Sequence, residues 1–496
     1  MSRSGPGKAA EELTETTHLQ EEGTEAPGRW RISAAPDGEA NSAQPARGVT
    51  APWDSTYYLS LATVLDSQRP RDRPLSEASP SNEPSSSEDL GAIPAREVEH
   101  LRSETPGCAH RIHLNNAGAA LQPRAVTDAV RAHLDLEERI GGYEAADDRA
   151  AAIEAAYHDV AALVGARREN IAFAVSATVA FSQALSSVPF RPGDRIVTTR
   201  NDYASNQIMY LSLEARMGVE VIRASDSPSG GVDVRALEGI VHRKAPRLVA
   251  MSHVPTNSGL VQDAKAVGEI CRKKGVLFLL DACQSVGQMP VDVATLGCDF
   301  LAATSRKFLR GPRGAGFLYV SDRVLDEPLE PLFPDLRGAD WIDDDVYQPA
   351  PDASRFETWE TSPAALLGMG EAAACARRVG LDRIERRTRS LASLLRELLQ
   401  ALPGVRVLDR GDELCAIVTL TAEGHEPRAL VGRLREVGVN TSASELESGL
   451  LDFRDKGVTA ALRLSPHYYN REDEVEHAVQ AIDAILGNRA PPSAAG

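Results

Sequence analysis

The run Ala303-Thr304-Ser305-Arg306-Lys307-Phe308-Leu309-Arg310-Gly311-Pro312-Arg313-Gly314 decides how the rest of the chain is read. It follows Phe300-Leu301-Ala302-Ala303, an apolar stretch of buried-strand type, and it ends in a glycine-rich turn. Upstream, Val276-Leu277-Phe278-Leu279-Leu280 runs in the same way into Asp281-Ala282-Cys283-Gln284. A lysine and an aspartate at the C-terminal ends of neighbouring buried strands suit pyridoxal 5′-phosphate (PLP). The amine can carry the aldehyde as a Schiff base, and the carboxylate can keep the pyridine nitrogen protonated so that the ring accepts electrons. A lone lysine in a basic turn is ordinarily a solvated side chain. The assignment therefore depends on what else lies at strand ends.

From residue 111 onward, helix-like alanine-rich stretches alternate with short apolar runs bounded by Gly, Asp and Pro. The runs fall at 171–175, 195–199, 219–224, 248–252, 276–280, 300–303 and 316–320, with helical segments such as 233–243 and 263–274 between them. Such alternation implies βαβ units, and hence an α/β fold with a mostly parallel seven-stranded sheet covered on both faces. Ligands of these sheets gather at the carboxyl ends of the strands. Beyond about residue 345 the pattern changes to a long helix (363–402), strands near 404–408 and 415–420, a helix at 426–437 and a last helix at 471–486. We therefore expect a large domain over 106–344 and a smaller α+β domain over 345–496. Residues 1–105 are rich in Ser, Pro, Glu and Ala and bury too little apolar surface to offset their ordering entropy. They are expected to be a disordered extension, within which Trp53-Asp54-Ser55-Thr56-Tyr57-Tyr58-Leu59-Ser60-Leu61 is a transient apolar cluster or a short docking element.

Three further marks follow predicted strands. Ser176-Ala177-Thr178 opens a helix, where backbone N–H groups and small hydroxyls can cradle a phosphate. Asp202-Tyr203-Ala204-Ser205-Asn206 places a tyrosine where it can stack on a planar ring. In Ser252-His253-Val254-Pro255-Thr256-Asn257-Ser258-Gly259, Asn257 can donate to a phenolic oxygen. Each has a plain alternative as a cap or a turn. Five marks on one sheet edge are harder to explain as independent turns.

The formal net charge of −17 argues against an electrostatic nucleic-acid footprint. No apolar stretch approaches the roughly 18 residues of a membrane-spanning helix. The amino terminus lacks an apolar signal core and soon turns acidic. Six scattered cysteines without CxxC or paired-histidine spacing suggest a reduced, cytoplasmic chain without structural metal.

Across roughly three quarters of its length, from His113-Leu114-Asn115-Asn116-Ala117-Gly118 to the last helix, the chain resembles the class V aminotransferases of PLP fold type I. That family includes cysteine desulfurases, isopenicillin N epimerases and kynureninases. The resemblance implies that Lys307 forms the Schiff base and shuttles protons, and that Asp281 pairs with the pyridinium nitrogen. It places Gln284 and Asn257 near the phenolic oxygen, Tyr203 on the ring, and Ala177, Thr178, Thr304 and Arg306 around the phosphate. Arg463, in Leu462-Arg463-Leu464-Ser465-Pro466-His467-Tyr468-Tyr469-Asn470, matches the arginine that clamps a substrate carboxylate, and Asn116 lies in a segment that lines the substrate site. It also implies a homodimer acting on a small amino acid. Two departures stand out. Arg355-Phe356-Glu357 continues as Thr358-Trp359-Glu360 where the family usually has a Gly-Thr that reaches the neighbouring subunit's phosphate. The stretch Val439-Asn440-Thr441-Ser442-Ala443-Ser444-Glu445-Leu446-Glu447 holds no cysteine where desulfurases carry their mobile catalytic one.

The segments around Lys307, Arg355 and Ser465 are most similar to the ergothioneine-pathway C–S lyase branch, whose members cleave a cysteine sulfoxide conjugate by β-elimination. A C–S β-lyase giving pyruvate and ammonia is thus the expected activity. The alternatives are an aminotransferase, an epimerase, or a catalytically silent binding protein of the same fold.

Overall fold

The computed structural model describes residues 93–487, which lie within one unit, Ser85–Gly496. The candidate docking element at 53–61 lies outside the described residues. In chain order the strands are β1 (Ile112–His113), β2 (Ile171–Ala174), β3 (Arg195–Thr198), β4 (Glu220–Arg223), β5 (Leu248–Ser252), β6 (Leu277–Asp281), β7 (Phe300–Thr304) and β8 (Gly316–Val320). After them come β9 (Ala339–Asp343), β10 (Val346–Pro349), β11 (Val405–Val407), β12 (Val418–Ala422), β13 (Val439–Asn440), β14 (Ser442–Glu445) and β15 (Ala460–Leu464).

All seven apolar runs become strands of one sheet, in the order β2-β8-β7-β6-β5-β3-β4. Only β8 runs against its neighbours, β2 and β7. The strands are nearly continuous apolar runs because both faces are covered. Alternate residues face opposite ways, and each face has its own core. Val249, Met251, Phe278, Leu280 and Leu301 pack in one, and Leu248, Ala250, Leu279, Phe300 and Ala302 in the other.

The C-terminal part forms an antiparallel sheet in the order β11-β12-β15-β14. The helix expected over 363–402 is two helices, Pro363–Val379 and Leu381–Gln400. Gly380 between them has φ 92°, a conformation that ends the first helix and that glycine adopts without a Cβ clash. The apolar rhythm continues on both sides, which hides the break. The first of these helices packs on Arg124–Ile140 and Ala150–Leu163.

The expected disorder of 1–105 is corrected at its end. Ala95–Ser103 is a helix, docked by an Arg102–Glu474 ion pair of 2.9 Å and by buried Val98. Averaged over a hundred residues, composition conceals one nine-residue amphipathic helix that has a surface to bind. The short strands β1, β9, β10 and β13 also escaped the sequence reading. They are two to five residues long and carry little periodicity.

Candidate functional site

Strands β2, β3, β5, β6 and β7 all end at one edge of the large sheet, and their C-terminal residues line one cavity. Its walls are Ser176, Ala177, Thr178, Tyr203, Ser252, Val254, Thr256, Asp281, Cys283, Gln284, Thr304, Arg306 and Lys307. The strand register makes this convergence: Ser252 lies opposite Asp281, and Asp281 opposite Ala302.

The Ser176 hydroxyl accepts from Val179 N–H at 3.2 Å and caps the helix Ala177–Ser187, whose amino end faces the cavity. Gly316 makes this approach possible. A Cβ there would stand 2.6 Å from the Ala303 oxygen and 3.0 Å from the Ala177 nitrogen. Tyr203 begins the helix after β3, with the Lys307 amine 6.0 Å from its ring centre.

Asp281 is buried, and its two oxygens are held differently. Oδ1 accepts from Cys283 N–H at 3.0 Å, while Oδ2 accepts from the Asn206 amide at 3.1 Å. Lys307 is also buried, and burial pushes its amine pKa down, opposed by the nearby Cys283 and Asp281. Arg306 donates to the Gly118 carbonyl. Gln284 donates to the Thr256 hydroxyl at 2.9 Å and leaves its own buried amide oxygen without a partner.

Arg463 reaches the site from β15. Its Nη1 donates to the Thr256 carbonyl at 2.8 Å and hydroxyl at 2.9 Å, and its Nε donates to Ser442 at 3.0 Å. Burial, with Arg306 adding to it, lowers its pKa to about 10. Lys307, Arg306 and Arg463 thus converge on a site whose only carboxylate on the cavity wall is Asp281. Such a surplus of basic groups suits anions. The group that the sequence led us to expect brings two anionic ends, a cofactor phosphate and a substrate carboxylate. A helix amino end, a basic surplus, an unsatisfied amide oxygen and a strand-end Lys/Asp pair all fit PLP.

The structure brings together Lys307, Asp281, Gln284, Tyr203, Ala177, Thr178, Thr304 and Arg306, with Arg463 beside them. It does not bring Asn257 or Asn116 to the wall. The Asn257 amide donates to Asp452 at 2.8 Å. Asn116 is fully buried, donating to the Ser465 carbonyl at 2.7 Å and accepting from the Tyr469 hydroxyl at 2.6 Å. Its neighbour Asn115 instead turns its oxygen toward Arg463, at 3.5 Å. Ser252, Thr256, Cys283 and Ser442 were missed as site residues, although the first three stand in the strand-end motifs already singled out. In the Arg355-Phe356-Glu357 motif, Arg355 binds only carbonyls of its own loop region, among them Ala350 and Leu329. Glu357 accepts from Phe173 N–H at 2.7 Å and braces β2.

The cysteines are chemically quiet. Burial pushes the Cys283 thiol, the one on the cavity wall, well above its ordinary range, and Asp281 adds to the effect. Cys271, Cys298 and Cys415 are buried in the core.

Comparison with known proteins agrees with this geometry. The aminotransferase class-V family model matches residues 112–477. A probable cysteine desulfurase of Methanothermobacter thermautotrophicus is 28% identical over 79% of this chain and 98% of its own length. A probable hercynylcysteine sulfoxide lyase of Mycobacterium tuberculosis is 29% identical over 75% of this chain and 90% of its own. Among solved structures, the cysteine desulfurase of Thermococcus onnurineus superposes with a TM-score of 0.73 at 25% identity, covering 79% of this chain and 98% of that one. With the sheet, the strand-end lysine and aspartate, and a family match across the described core, the chain belongs to the class-V aminotransferases, PLP-dependent enzymes of fold type I.

Proposed function

We propose that this enzyme is a C–S β-lyase acting on an S-substituted cysteine or a cysteine sulfoxide. The observation that carries the reading is the segment before Arg463. It forms β14, paired with β15, and Ser442 on it holds Arg463 at 3.0 Å. That segment is an ordered strand without a thiol, and Cys283 is held as a neutral thiol. No thiolate is thus poised to take sulfur from the substrate, so sulfur must leave with its substituent. The resemblance to a probable hercynylcysteine sulfoxide lyase supports the same outcome.

In this reading Arg463 binds the substrate carboxylate, with Asn115 beside it. Ala177, Thr178, Thr304 and Arg306 hold the cofactor phosphate, Tyr203 and Cys283 bound the ring, and Asp281 takes its nitrogen. PLP, when bound, supplies the electron sink for the pair left at the substrate Cα. Lys307, whose burial favours the neutral amine, accepts the Cα proton. The electrons of the Cα–H bond form a Cα–Cβ double bond as the Cβ–S pair departs on sulfur. The three-carbon remainder hydrolyses to pyruvate and ammonia. The reading extends to a homodimer in a reducing cytoplasm, supported by six unpaired cysteines and by exposed apolar side chains at Leu332, Phe333, Leu336, Trp341 and Ile342.

The test is to give the holoenzyme S-substituted cysteines, cysteine sulfoxides and, separately, free cysteine, and to assay pyruvate and alanine against the released sulfur product. Equal amounts of pyruvate and sulfur product, abolished in Lys307→Ala, are expected. Alanine in place of pyruvate would make the enzyme a desulfurase. Conversion of the cofactor to its amine form without pyruvate would make it an aminotransferase, and inversion at Cα an epimerase.

A further inference from the structure

A second carboxylate lies behind Asp281. Asp202 follows β3, is 5% exposed, and collects six hydrogen bonds. Its Oδ1 accepts from Tyr203 N–H at 2.7 Å, the Ser252 hydroxyl at 2.8 Å and the Asn206 amide at 3.1 Å. Its Oδ2 accepts from the Thr198 hydroxyl at 2.9 Å, the Tyr210 hydroxyl at 3.1 Å and the Gln207 amide at 3.3 Å. All six partners are neutral groups, and the cation met through them, Arg223, bonds the far side of Gln207 at 2.8 Å and not the carboxylate itself.

The network reaches the cofactor site through two of those partners. The Asn206 amide nitrogen that binds Asp202 also donates to Asp281 Oδ2 at 3.1 Å, one proton for each carboxylate. Ser252 Oγ lies 2.8 Å from Asp202 and 3.4 Å from Asp281. A carboxylate that accepts many donors is favoured in its charged form. Burial and the neighbouring Asp281 work the other way and push the Asp202 pKa up. The geometry decides between them. A protonated Asp202 would bring a further proton to oxygens on which six donors already converge, and one would have to turn away.

We propose that Asp202 is a positioning residue for the cofactor: through Asn206 and Ser252 it fixes the Asp281 carboxylate, and its charge strengthens the hold of that carboxylate on a protonated ring nitrogen. This rests on the assignment of Asp281 to the ring nitrogen proposed above. Two negative charges behind one cation favour the cationic form more than one does. The site then keeps the ring as an electron sink over a wider pH range.

Asp202→Asn removes the charge at nearly unchanged shape, at the cost of turning the Thr198 and Tyr210 hydroxyls from donor to acceptor. The readout is the nitrogen-15 shift of holoenzyme loaded with PLP labelled at the ring nitrogen, followed from about pH 6 to about pH 11, together with the PLP dissociation constant. In Asp202→Asn the ring nitrogen is expected to lose its proton about one pH unit lower or more, with weaker cofactor binding. Asn206→Ala should move both in the same direction by less. An unchanged titration in Asp202→Asn overturns the proposal. If that variant does not fold, an unchanged titration in Asn206→Ala does so. Asp281→Asn separates the two layers. If it leaves the nitrogen protonated as in the wild type, the assignment of Asp281 itself falls, and the role of Asp202 with it.

Discussion

Arg463 enters the interior with no carboxylate to meet it. Serine, threonine and a backbone carbonyl hold its Nε and Nη1, and Nη2 has only Asn115 at 3.5 Å. A guanidinium fixed at Nε and Nη1, with Nη2 nearly free, is oriented to offer that nitrogen to an anion. In Arg463→Lys, KM should rise about tenfold to a hundredfold, the worth of one or two charge-assisted hydrogen bonds, while kcat changes less. Steady-state kinetics beside an unchanged cofactor spectrum would check this. Most of the site was legible in sequence at this scale, because Lys307, Asp281, Thr304 and Ala177 each follow an unbroken apolar run. Asn257 and Asn116 do not line the cavity. A sequence places a residue at a strand end but does not say which way the chain turns there, and one step separates Asn115 at the guanidinium from Asn116 in the core. Asp202 was quoted within its motif and passed over, because nothing in the linear pattern distinguishes a buried donor-saturated carboxylate from a loop aspartate.

The loop carrying Lys307 is clamped as an element. Arg310 takes the left-handed conformation, φ 64°, and donates to the Leu121 carbonyl at 2.9 Å, the Thr105 hydroxyl at 2.7 Å and the Tyr468 hydroxyl. His467 Nε2 donates to the Phe308 carbonyl at 2.8 Å, and its Nδ1 accepts from Tyr468 N–H. Gly287 lets the loop close in, since a Cβ there would stand 2.4 Å from the Leu309 nitrogen. Burial, with Arg310 adding to it, lowers the His467 pKa from 6.5 to about 3. Between those values the unfolded chain binds a proton that the folded one refuses, so stability is lost as pH falls from 6.5 toward 3. His253, lowered by burial to about 4, acts with the same sign. His467→Gln should therefore melt lower than wild type near neutral pH, with the gap narrowing as pH drops below the 6.5 of a free histidine. Thermal melts of both proteins across that range would show it. The clamp was invisible in sequence because its parts lie far apart, whereas the strands it acts upon were readable from local composition alone.

At the scale of the whole molecule, the helix Ala95–Ser103 ties the start of the described residues to their C-terminal part. Arg102 bonds the Tyr469 carbonyl and Glu474, both at 2.9 Å, Glu97 pairs with Arg383, and Thr105 meets Arg310. A chain beginning at residue 106 should lose on the order of 3 kcal/mol against one beginning at residue 93, the cost of leaving buried Glu474 without its cation and Arg310 without one of its three partners. Chemical denaturation of the two would measure it. The exposed Phe333 and Trp341, 78% and 76% accessible, belong to the face proposed to meet a second copy. Phe333→Glu should shift the protein toward monomer in sedimentation while leaving its secondary structure intact. Strand β1 pairs with β13, more than three hundred residues later, and the lysine loop is gripped by Thr105 and Leu121 from one side and His467 and Tyr468 from the other. Synthesis runs from the amino end, and contacts this distant in sequence wait for their second half. While the chain is still on the ribosome, the large sheet can assemble around Lys307, yet neither the clamp nor the arginine fork exists. The arginine fork proposed to hold the substrate therefore forms only after the last described strand and the turn beyond it have emerged.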